Sequence, residues 1–478
     1  MIATQAKLKK KSVDLTEGPI LGKLIMFVLP LMATNLLQTF YNAADMMIVS
    51  LSHESNAVGA IGMTGSFVSL VVNLFMGFSV GANVIVARYL GAKDDKNVSK
   101  TVHTSLIMSL IVGAMATVIG FFISRPILSM MGAQGNLLDL ATLYTKIYFC
   151  GVPFTAATNY AAAIFRAKGD TKTPLYVLAA SGIVNVVLNF FFVLACGMSV
   201  EGVAIATAVS NLLAAVALVW LLSKEDGPCK FSFSKCKIDR RALVGIIKEG
   251  LPAGLQSAVF SISNMLIQSS IITVNNMVVP AGSKVEPVVN GNAAAANLEG
   301  FLYTAVNSVY QAAITFTSQN YGAAKYKRIW RVMAVSVLFG MAVGGVGSLL
   351  LTLFKNPLLA LYGIKDGVAG SLEHSAYDAA IKRITYVISF YVLIALMDTT
   401  CGVVRGLGKT TVSTVISLLG ACVFRVLWVT FIFAASPTLE TVFISYPISW
   451  TITGIAQLSC AVYFLKKKIK QTSLAVPR

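Results

Sequence analysis

Twelve long apolar segments limit the possible folds of this chain more than any other feature of its sequence. Each segment has more than 20 residues, so each can cross about 30 Å of hydrocarbon as a helix. The apolar runs are continuous and do not alternate with polar residues, which favours helices over strands. With 478 residues, 56% of them hydrophobic, and a mean hydropathy of +0.75, the chain is predicted to be an all-α polytopic membrane protein. The predicted spans are 24–50, 56–88, 101–124, 139–165, 174–196, 200–223, 247–275, 293–318, 329–354, 381–404, 411–434 and 440–465.

The basic residues are distributed unequally between the two sides of the predicted membrane. Twelve spans place both termini on one side, where 29 Lys and Arg residues fall against 6 on the other side. Because short cytoplasmic loops carry an excess of Lys and Arg, both termini are predicted to be cytoplasmic, with the protein in the cell membrane. This distribution explains the net charge of +18 without nucleic-acid binding. No cleavable signal peptide is expected, since the first apolar run is too long and has no small-residue cleavage site.

Three short motifs occur twice in the chain, with offsets of 222, 231 and 239 residues. The offset grows in the outer loops 276–292 and 355–380, where insertions disturb a fold least. The sequence therefore predicts two six-helix lobes related by a parallel repeat, an arrangement that places a substrate path between the lobes. The paired motifs are Leu29-Pro30 with Leu251-Pro252, Arg88–Ala92 with Gln319–Ala323, and Phe165–Thr171 with Val404–Thr410. The predicted segments are a cytoplasmic N-terminus 1–23, an N-lobe 24–223, a basic cytoplasmic linker 224–246, a C-lobe 247–466, and a tail 467–478 that ends in a protease-site-like remnant, 475–478.

Only three of the 20 acidic residues lie well inside the predicted spans: Asp45, Glu299 and Asp398. A charged residue at the centre of a membrane helix costs roughly 2.5–3.5 kcal/mol, so each acid is a functional candidate. Asp45 also belongs to a polar stripe along one helical face. We predict that the Asp45 carboxylate alternates between a protonated or cation-bound state and a free state; the alternative is a structural carboxylate capped by hydroxyls and amides. The stripe consists of Asn35, Gln38, Asn42 and Asp45.

The other two acids belong to the C-lobe and are candidates for binding a cationic substrate. Glu299 shares a helical face with Tyr303, and Asp398 lies two turns before Arg405. A carboxylate between aromatic rings attracts organic cations. The alternatives are an interfacial Glu299 that contacts water and a salt bridge from Asp398 to Arg425. Further polar residues either bind substrate or join helices, and these are Gln38, Asn42, Gln256 and Asn264.

Over about residues 15–466, the chain resembles the multidrug and toxic compound extrusion (MATE) transporters. Each matching motif is short, but five occur in order at equivalent ends of the six-plus-six repeat. The resemblance implies a V-shaped transporter that exports organic, often cationic, compounds in exchange for Na⁺ or H⁺. The matching motifs are Pro30 followed by Gln38–Asp45, Tyr89–Ala92, Phe165–Thr171, Gln319–Lys325 and Arg405–Lys409.

The resemblance also implies an N-lobe cation site formed by Asp45, Asn185, Asn189 and Thr207. These four residues would be the ligands if the coupling ion is Na⁺, because hard cations bind oxygen. The chain departs from the family at Asn189, where a carboxylate is usual. Loss of that negative charge weakens Na⁺ binding more than it weakens protonation of Asp45, so the sequence favours H⁺ over Na⁺.

Two other classes of function fit the sequence less well than export. A flippase for lipid-linked precursors usually needs a strongly cationic cavity, whereas the charged residues well inside the predicted spans are Lys146 and Arg425 against three acids. No nucleophile–base pair, metal-ligand cluster or phosphate-binding loop indicates an enzyme, and no ATP-binding sequence is present. The expected protein is a monomeric, non-enzymatic transporter without a cofactor, whose partners are a small organic substrate and membrane lipid.

Overall fold

The computed structural model describes residues 14–52, 54, 57–279 and 285–474. Within these ranges the regular secondary structure is helical throughout, as expected where backbone groups must be satisfied inside a bilayer. Residues 1–13, which form most of the predicted N-terminal segment, and the remnant 475–478 lie outside the described residues.

The described part of the chain contains twelve long helices and one short one. The first seven are α1 (Ile20–Val49), α2 (Ala57–Gly91), α3 (Asp95–Met130), α4 (Gly135–Ala167), α5 (Lys172–Ala195), α6 (Val200–Lys224) and α7 (Arg240–Val278). The others are α8 (Pro287–Gly322), α9 (Tyr326–Leu353), the short α10 (Lys355–Ala360), α11 (Leu372–Gly406), α12 (Thr410–Phe433) and α13 (Leu439–Leu474).

Ten of the described helices are long and apolar enough to cross a membrane. The remaining two long helices, α4 and α8, have comparable lengths but are not among these ten. Large apolar side chains are exposed on the outer surface, including Phe122 (73%), Leu338 (66%) and Phe431 (68%), and such a surface is suited to lipid. The prediction of an all-α polytopic membrane protein is confirmed.

The tenth long helix, α11, begins earlier than the predicted span 381–404. Its first turns are polar, and the Ser371 hydroxyl caps its start by accepting a hydrogen bond from the His374 N–H at 3.1 Å. A 3₁₀ turn, Ile388–Phe390, then interrupts it. The predicted span has Arg383 near its start and ends one residue before Arg405. Both arginines lie inside α11, where they are 8% and 4% exposed.

The described residues divide into two compact units. Unit 1 contains the residues up to Ala258 together with Ser318–Lys325, and unit 2 contains Val259–Thr317 and the residues from Tyr326 onward. The start of α7 and the end of α8 therefore pack with the helices of unit 1, although both belong to the predicted C-lobe. The lobe boundaries describe the repeat in the sequence and stay a prediction, whereas the units describe which residues pack together.

Within unit 1, α2 and α7 cross at unusually close range through two Gly-x-x-x-Gly motifs. A methyl group on Gly77 would lie 2.2 Å from the backbone nitrogen of Gly254, and one on Gly254 would lie 2.1 Å from the Leu74 carbonyl oxygen. Gly81 and Gly250, the other member of each motif, also approach backbone atoms of the opposite helix. Small residues at this spacing allow two membrane helices to pack backbone to backbone.

The repeated motifs of unit 1 contact each other reciprocally. Gly91 lies against the carbonyl oxygen of Gln319, and Gly322 lies against the carbonyl oxygen of Arg88, with 1.9 Å from an added methyl carbon to the oxygen in each case. Gln319 is the repeat equivalent of Arg88, and Gly322 is that of Gly91, at an offset of 231 residues. Equivalent residues therefore make equivalent contacts, as expected for a two-fold related pair of motifs.

Candidate functional site

Asp45 lies in the last turns of α1, in contact with α5 and α6 of unit 1. The Asn189 amide nitrogen donates a hydrogen bond to Asp45 Oδ1, and the Thr207 hydroxyl oxygen lies 3.5 Å from Asp45 Oδ2. Asn189 Nδ2 also lies 3.3 Å from Asn185 Oδ1, and Asn185 Nδ2 lies 3.4 Å from Thr207 Oγ1. The structure thus brings together all four residues that the sequence predicts for the coupling site.

A close contact between α1 and α5 brings these side chains together. Gly182 of α5 lies directly against the Tyr41 ring of α1, since a methyl group on Gly182 would lie only 1.8 Å from a ring carbon. The Tyr41 hydroxyl donates to the Ala179 carbonyl at 3.1 Å. Asp45 follows Tyr41 by one helical turn, and Asn185 follows Gly182 by nearly one turn. The same helical faces therefore meet at the coupling site.

The protons in this cluster leave two oxygens, Asp45 Oδ2 and Asn189 Oδ1, without a close donor. Thr207 Oγ1 is 2.9 Å from the Val203 carbonyl, closer than its 3.5 Å contact with Asp45, so its single proton is directed to the helix backbone. Asn189 is fully buried, and its amide oxygen has no hydrogen-bond partner among the described residues. A buried acceptor without a donor is costly. A proton or a cation beside Asp45 would satisfy such oxygens.

Two tyrosines of α4 complete the surroundings of Asp45. The rings of Tyr144 and Tyr148 stack at 5.9 Å with an interplanar angle of 29°, and both hydroxyls lie within electrostatic range of the Asp45 carboxylate. Tyr144 and Tyr148 are not among the predicted site residues. Their spacing of four residues within a predicted span is a signal that could have found them, because it places both rings on one helical face.

In unit 2, Glu299 forms a buried ion pair that the sequence analysis did not predict. The Arg383 guanidinium donates to Glu299 Oε2 from two nitrogens, at 2.7 and 2.9 Å. Arg383 also donates to Asn292 Oδ1 at 2.7 Å, and the Tyr391 hydroxyl lies 3.3 Å from Glu299 Oε1. The two charged side chains are only 13% and 10% exposed. Glu299 is therefore charge-compensated, and its role in binding substrate stays a prediction.

Asp398 lies in a different environment, near aromatic hydroxyls and one arginine. Its carboxylate interacts electrostatically with Arg405, which also donates to the Tyr310 hydroxyl and lies 5.6 Å from the centre of the Tyr310 ring. Tyr303 is also within electrostatic range of Asp398 and is 42% exposed. Asp398 and Tyr303, both predicted substrate-binding residues, are thus neighbours in unit 2.

The predicted alternative partner of Asp398, Arg425, has other contacts. Its guanidinium stacks over the Tyr446 ring at 4.1 Å and donates to the Ser449 hydroxyl at 3.2 Å. Tyr446 is shared, because the Arg383 guanidinium lies 5.8 Å from the same ring. Tyr446 therefore lies between two buried arginines.

The remaining predicted substrate-binding residues are polar side chains at the surfaces of their units. Gln38 and Asn42 of α1 and Asn264 of α7 are exposed, and Gln256 is partly buried. Gln38, Asn42 and Gln256 belong to unit 1, and Asn264 belongs to unit 2. No contact within a unit identifies them as ligands, and their role in binding stays a prediction. Among the described residues, no group of three or more His, Cys, Asp or Glu side chains is arranged to hold a metal ion.

Comparison with solved structures defines the class of protein to which this architecture belongs. The chain superimposes with a TM-score of 0.86 on a structure described as the outward-facing conformation of a multidrug resistance MATE family transporter of the MOP superfamily. The two sequences are 22% identical, and the match covers 96% of this chain and 99% of that one. The two chains therefore share one fold, a multi-pass helical fold with a two-lobe repeat.

Sequence comparisons give the family. The sequence profile of the MatE family matches residues 30–191 and 260–431. The chain is 24% identical over 452 residues to the probable multidrug resistance protein YoeA of Bacillus subtilis (strain 168), covering 93% of this chain and 94% of the relative. It is 26% identical over 420 residues to the probable multidrug resistance protein YpnP of the same organism, covering 87% and 89%. The chain belongs to the MatE family, the multidrug and toxic compound extrusion transporters, as its motifs predict.

Proposed function

We propose that this protein is a secondary antiporter that exports small organic compounds, cationic ones in particular, across the cell membrane in exchange for protons. Asp45 carries the coupling proton, and both termini face the cytoplasm. The multidrug resistance names of the relatives support export of drug-like compounds. The observation on which the proposal rests is the cluster of Asp45 with Asn185, Asn189 and Thr207.

The cluster responds to the state of Asp45 through hydrogen bonding. When the carboxylate is ionised, it accepts the N–H of Asn189, as the structure has it. When Asp45 is protonated, its O–H becomes a donor, and the Thr207 oxygen or the Asn189 amide oxygen can accept it. A change at one atom thus alters contacts that join α1 to α5 and α6. Coupling of this kind requires differential contacts in the two states.

The same contacts support H⁺ over Na⁺ as the coupling ion. A sodium ion would need oxygen ligands, but Asn189 directs its amide nitrogen toward Asp45. To bind Na⁺, the amide would have to rotate so that its oxygen faces the carboxylate. With one carboxylate in the cluster, only a single negative charge offsets the cost of dehydrating the ion. If Na⁺ is coupled, its ligands are the oxygens of Asp45, Asn185, Asn189 and Thr207.

A flippase for lipid-linked anionic precursors is the second candidate function, and the composition of unit 2 favours it. Arg383, Arg405 and Arg425 are all buried there, against the two acids Glu299 and Asp398. The interior of this unit is therefore more basic than its one predicted intramembrane base, Arg425, indicates. Each guanidinium has protein partners, however, so we rank this function below drug export.

Transport by the purified chain in proteoliposomes tests the proposal. A proton gradient and a sodium gradient are imposed separately, and uptake of a cationic dye is followed by fluorescence. We expect the proton gradient alone to drive transport and Asp45→Asn to reduce the driven rate by about tenfold or more, with normal insertion. The matched control is Asp139→Asn, because Asp139 is 61% exposed in its pair with Arg125 and such pairs contribute little.

Two results would contradict the proposal. Full dye transport by Asp45→Asn would remove the coupling role of this carboxylate, and transport under a sodium gradient alone would assign the coupling to Na⁺. Movement of a lipid-linked pyrophosphate, with no dye transport under either gradient, would support the flippase instead.

A further inference from the structure

A cavity of about 340 Å³ lies in unit 1 where α1 and α5 begin. Its lining includes Lys23, Met26 and Phe27 of α1 and Lys172 and Tyr176 of α5. Both helices begin on the side of the membrane that is predicted to face the cytoplasm. The cavity is remote in sequence from Asp45, and none of its lining residues belongs to the coupling site.

The Lys23 side chain is held in place by a turn that precedes α1. Gly18 has a φ of +68°, which L-residues rarely adopt, and its backbone lies next to the end of the lysine side chain. The turn directs two carbonyl oxygens, those of Asp14 and Glu17, to the Lys23 ammonium. Both acceptors are neutral, so they orient the ammonium without neutralising it.

Asp170, the acidic residue that lines the cavity, already has hydrogen-bond and ion-pair partners. Asp170 accepts hydrogen bonds from the backbone N–H groups of Lys172 and Thr173, at 3.1 and 3.0 Å, and from the Thr173 hydroxyl at 2.7 Å. Its carboxylate also lies 3.8 Å from the Lys168 ammonium. Asp170 therefore caps the start of α5, and it shares the Lys168 ammonium with Glu225, which lies closer to it at 2.5 Å.

The positive charges in the cavity lining belong to Lys23 and Lys172, and the Asp14 carboxylate lies within electrostatic range of Lys23. Among the described residues, Lys23 and Lys172 are absent from every ion pair, and the nearby Glu17 pairs with Lys325 at 3.1 Å. Lys172 is exposed, and Lys23 is partly buried. The lining of the cavity therefore carries two ammonium groups against the single carboxylate of Asp170.

The rim of the cavity is apolar. Met26 is 63% exposed and Tyr176 is 67% exposed, and both residues line the cavity. A tyrosine at the end of a membrane helix suits the interface between headgroups and acyl chains. The site therefore combines two ammonium groups with a surface that fits hydrocarbon.

We propose that this cavity binds the headgroup of an anionic phospholipid from the cytoplasmic leaflet. The lipid phosphate lies between Lys23 and Lys172. The part of the acyl chain nearest the headgroup lies along Met26 and Tyr176. Basic pockets between membrane helices on the cytoplasmic side favour such headgroups. A free phosphate would use the lysines but not the apolar rim, so the combination points to a lipid. The proposal does not depend on the coupling role of Asp45.

Lipid binding to the full chain can be measured by native mass spectrometry during titration with phosphatidylglycerol or phosphatidylcholine. We expect preferential binding of phosphatidylglycerol. Lys23→Gln and Lys172→Gln should each weaken it about fivefold, which corresponds to about 1 kcal/mol per basic residue. The combined Lys23→Gln and Lys172→Gln variant is matched by Lys235→Gln with Lys237→Gln, a control double variant of two exposed loop lysines that removes the same charge elsewhere. Soluble glycerophosphoglycerol serves as the probe for a headgroup without acyl chains.

The outcomes separate the possible ligands. An equal loss in the control double variant, or equal binding of the two lipids, would overturn the proposal by showing that the lysines act only through net charge or not at all. Competition by glycerophosphoglycerol or inorganic phosphate at the affinity of the lipid would show a phosphate site without a lipid component and would also overturn it. Tyr176→Ser adds a second test, since it should weaken lipid binding and leave any headgroup binding unchanged.

Discussion

At the scale of single residues, the coupling site has one carboxylate, that of Asp45, surrounded by amide and hydroxyl groups. It therefore differs from a site that is built on two carboxylates. Asn189 is fully buried and shares its two amide protons between Asp45 and Asn185. An aspartate at this position could not donate to Asp45. Two carboxylates at such a short distance would repel each other unless a proton or a cation lay between them. The residue at position 189 therefore bears directly on the choice of coupling ion.

Asn189→Asp should move the coupling preference toward Na⁺. A second carboxylate adds a negative oxygen ligand, and we expect the Kd for Na⁺ to fall on the order of tenfold, so that sodium-driven transport appears in this variant. The measurement is dye transport in proteoliposomes under a sodium gradient at equal internal and external pH. Asn189→Ala is the control, because it removes the amide without adding charge and should give no sodium-driven transport. An unchanged ion preference in Asn189→Asp would show that position 189 does not select the ion.

Asp398→Asn should weaken binding of cationic substrates more than binding of neutral ones. The carboxylate lies within electrostatic range of Tyr303 and Arg405, and a charge-assisted contact contributes roughly 1.5–3 kcal/mol. We expect the Kd of a monovalent cationic dye to rise about tenfold and that of a neutral substrate to change less than about twofold. Asp366→Asn, at an exposed acid that pairs with His374, is the control. Equal effects on both substrates would favour a structural role for Asp398.

At the scale of helices, the sequence predicted the existence of each span better than its contacts. Asp45 was predictable because an acid in an apolar helix is costly, and its partners Asn185 and Thr207 followed from the family resemblance. The pair of Glu299 with Arg383 was not predictable. The two residues are 84 positions apart, and the polar first turns of α11 lie before the predicted span, which has Arg383 at its edge. Hydropathy identifies the apolar part of a helix and misses a polar extension that packs against other helices.

The crossing of α2 and α7 gives a prediction at this scale. Gly254→Ala adds a methyl group 2.1 Å from the Leu74 carbonyl oxygen, so the helices must separate or rotate. Overpacking of this kind costs about 1–3 kcal/mol, and we expect a Tm lowered by several degrees in detergent. Gly65→Ala is the matched control on α2, since nothing lies within 4 Å of the added carbon. It should leave the Tm unchanged or raise it slightly, because Ala favours helix over Gly. Equal Tm values for both variants would show that the close crossing is unimportant for stability.

At the scale of the whole molecule, the repeat carries different chemistry in its two halves. At the offset of 222 residues, Asp45 corresponds to Ile267, which is 2% exposed in the apolar core of unit 2. The acids of unit 2 lie instead near arginines: Glu299 pairs with Arg383, and Asp398 interacts with Arg405. Duplicated architecture has thus been kept while the charged residues have diverged. Asp45 is left as the acid without a basic partner in its cluster.

A single proton-carrying carboxylate determines how transport should respond to the membrane potential. If Asp45 alone carries the coupling proton, one H⁺ exchanges for one monovalent cation, and the cycle moves no net charge. In proteoliposomes with equal pH on both sides, a potassium diffusion potential set by valinomycin should then give no accumulation of a monovalent cationic dye beyond that of protein-free liposomes. A pH gradient with the potential clamped at zero should drive it fully. Accumulation driven by the potential alone would mean that a second proton moves with each cycle. Repeating the measurement with Asp398→Asn would then test whether that acid carries it, since loss of the potential dependence in this variant would extend the coupling site to unit 2.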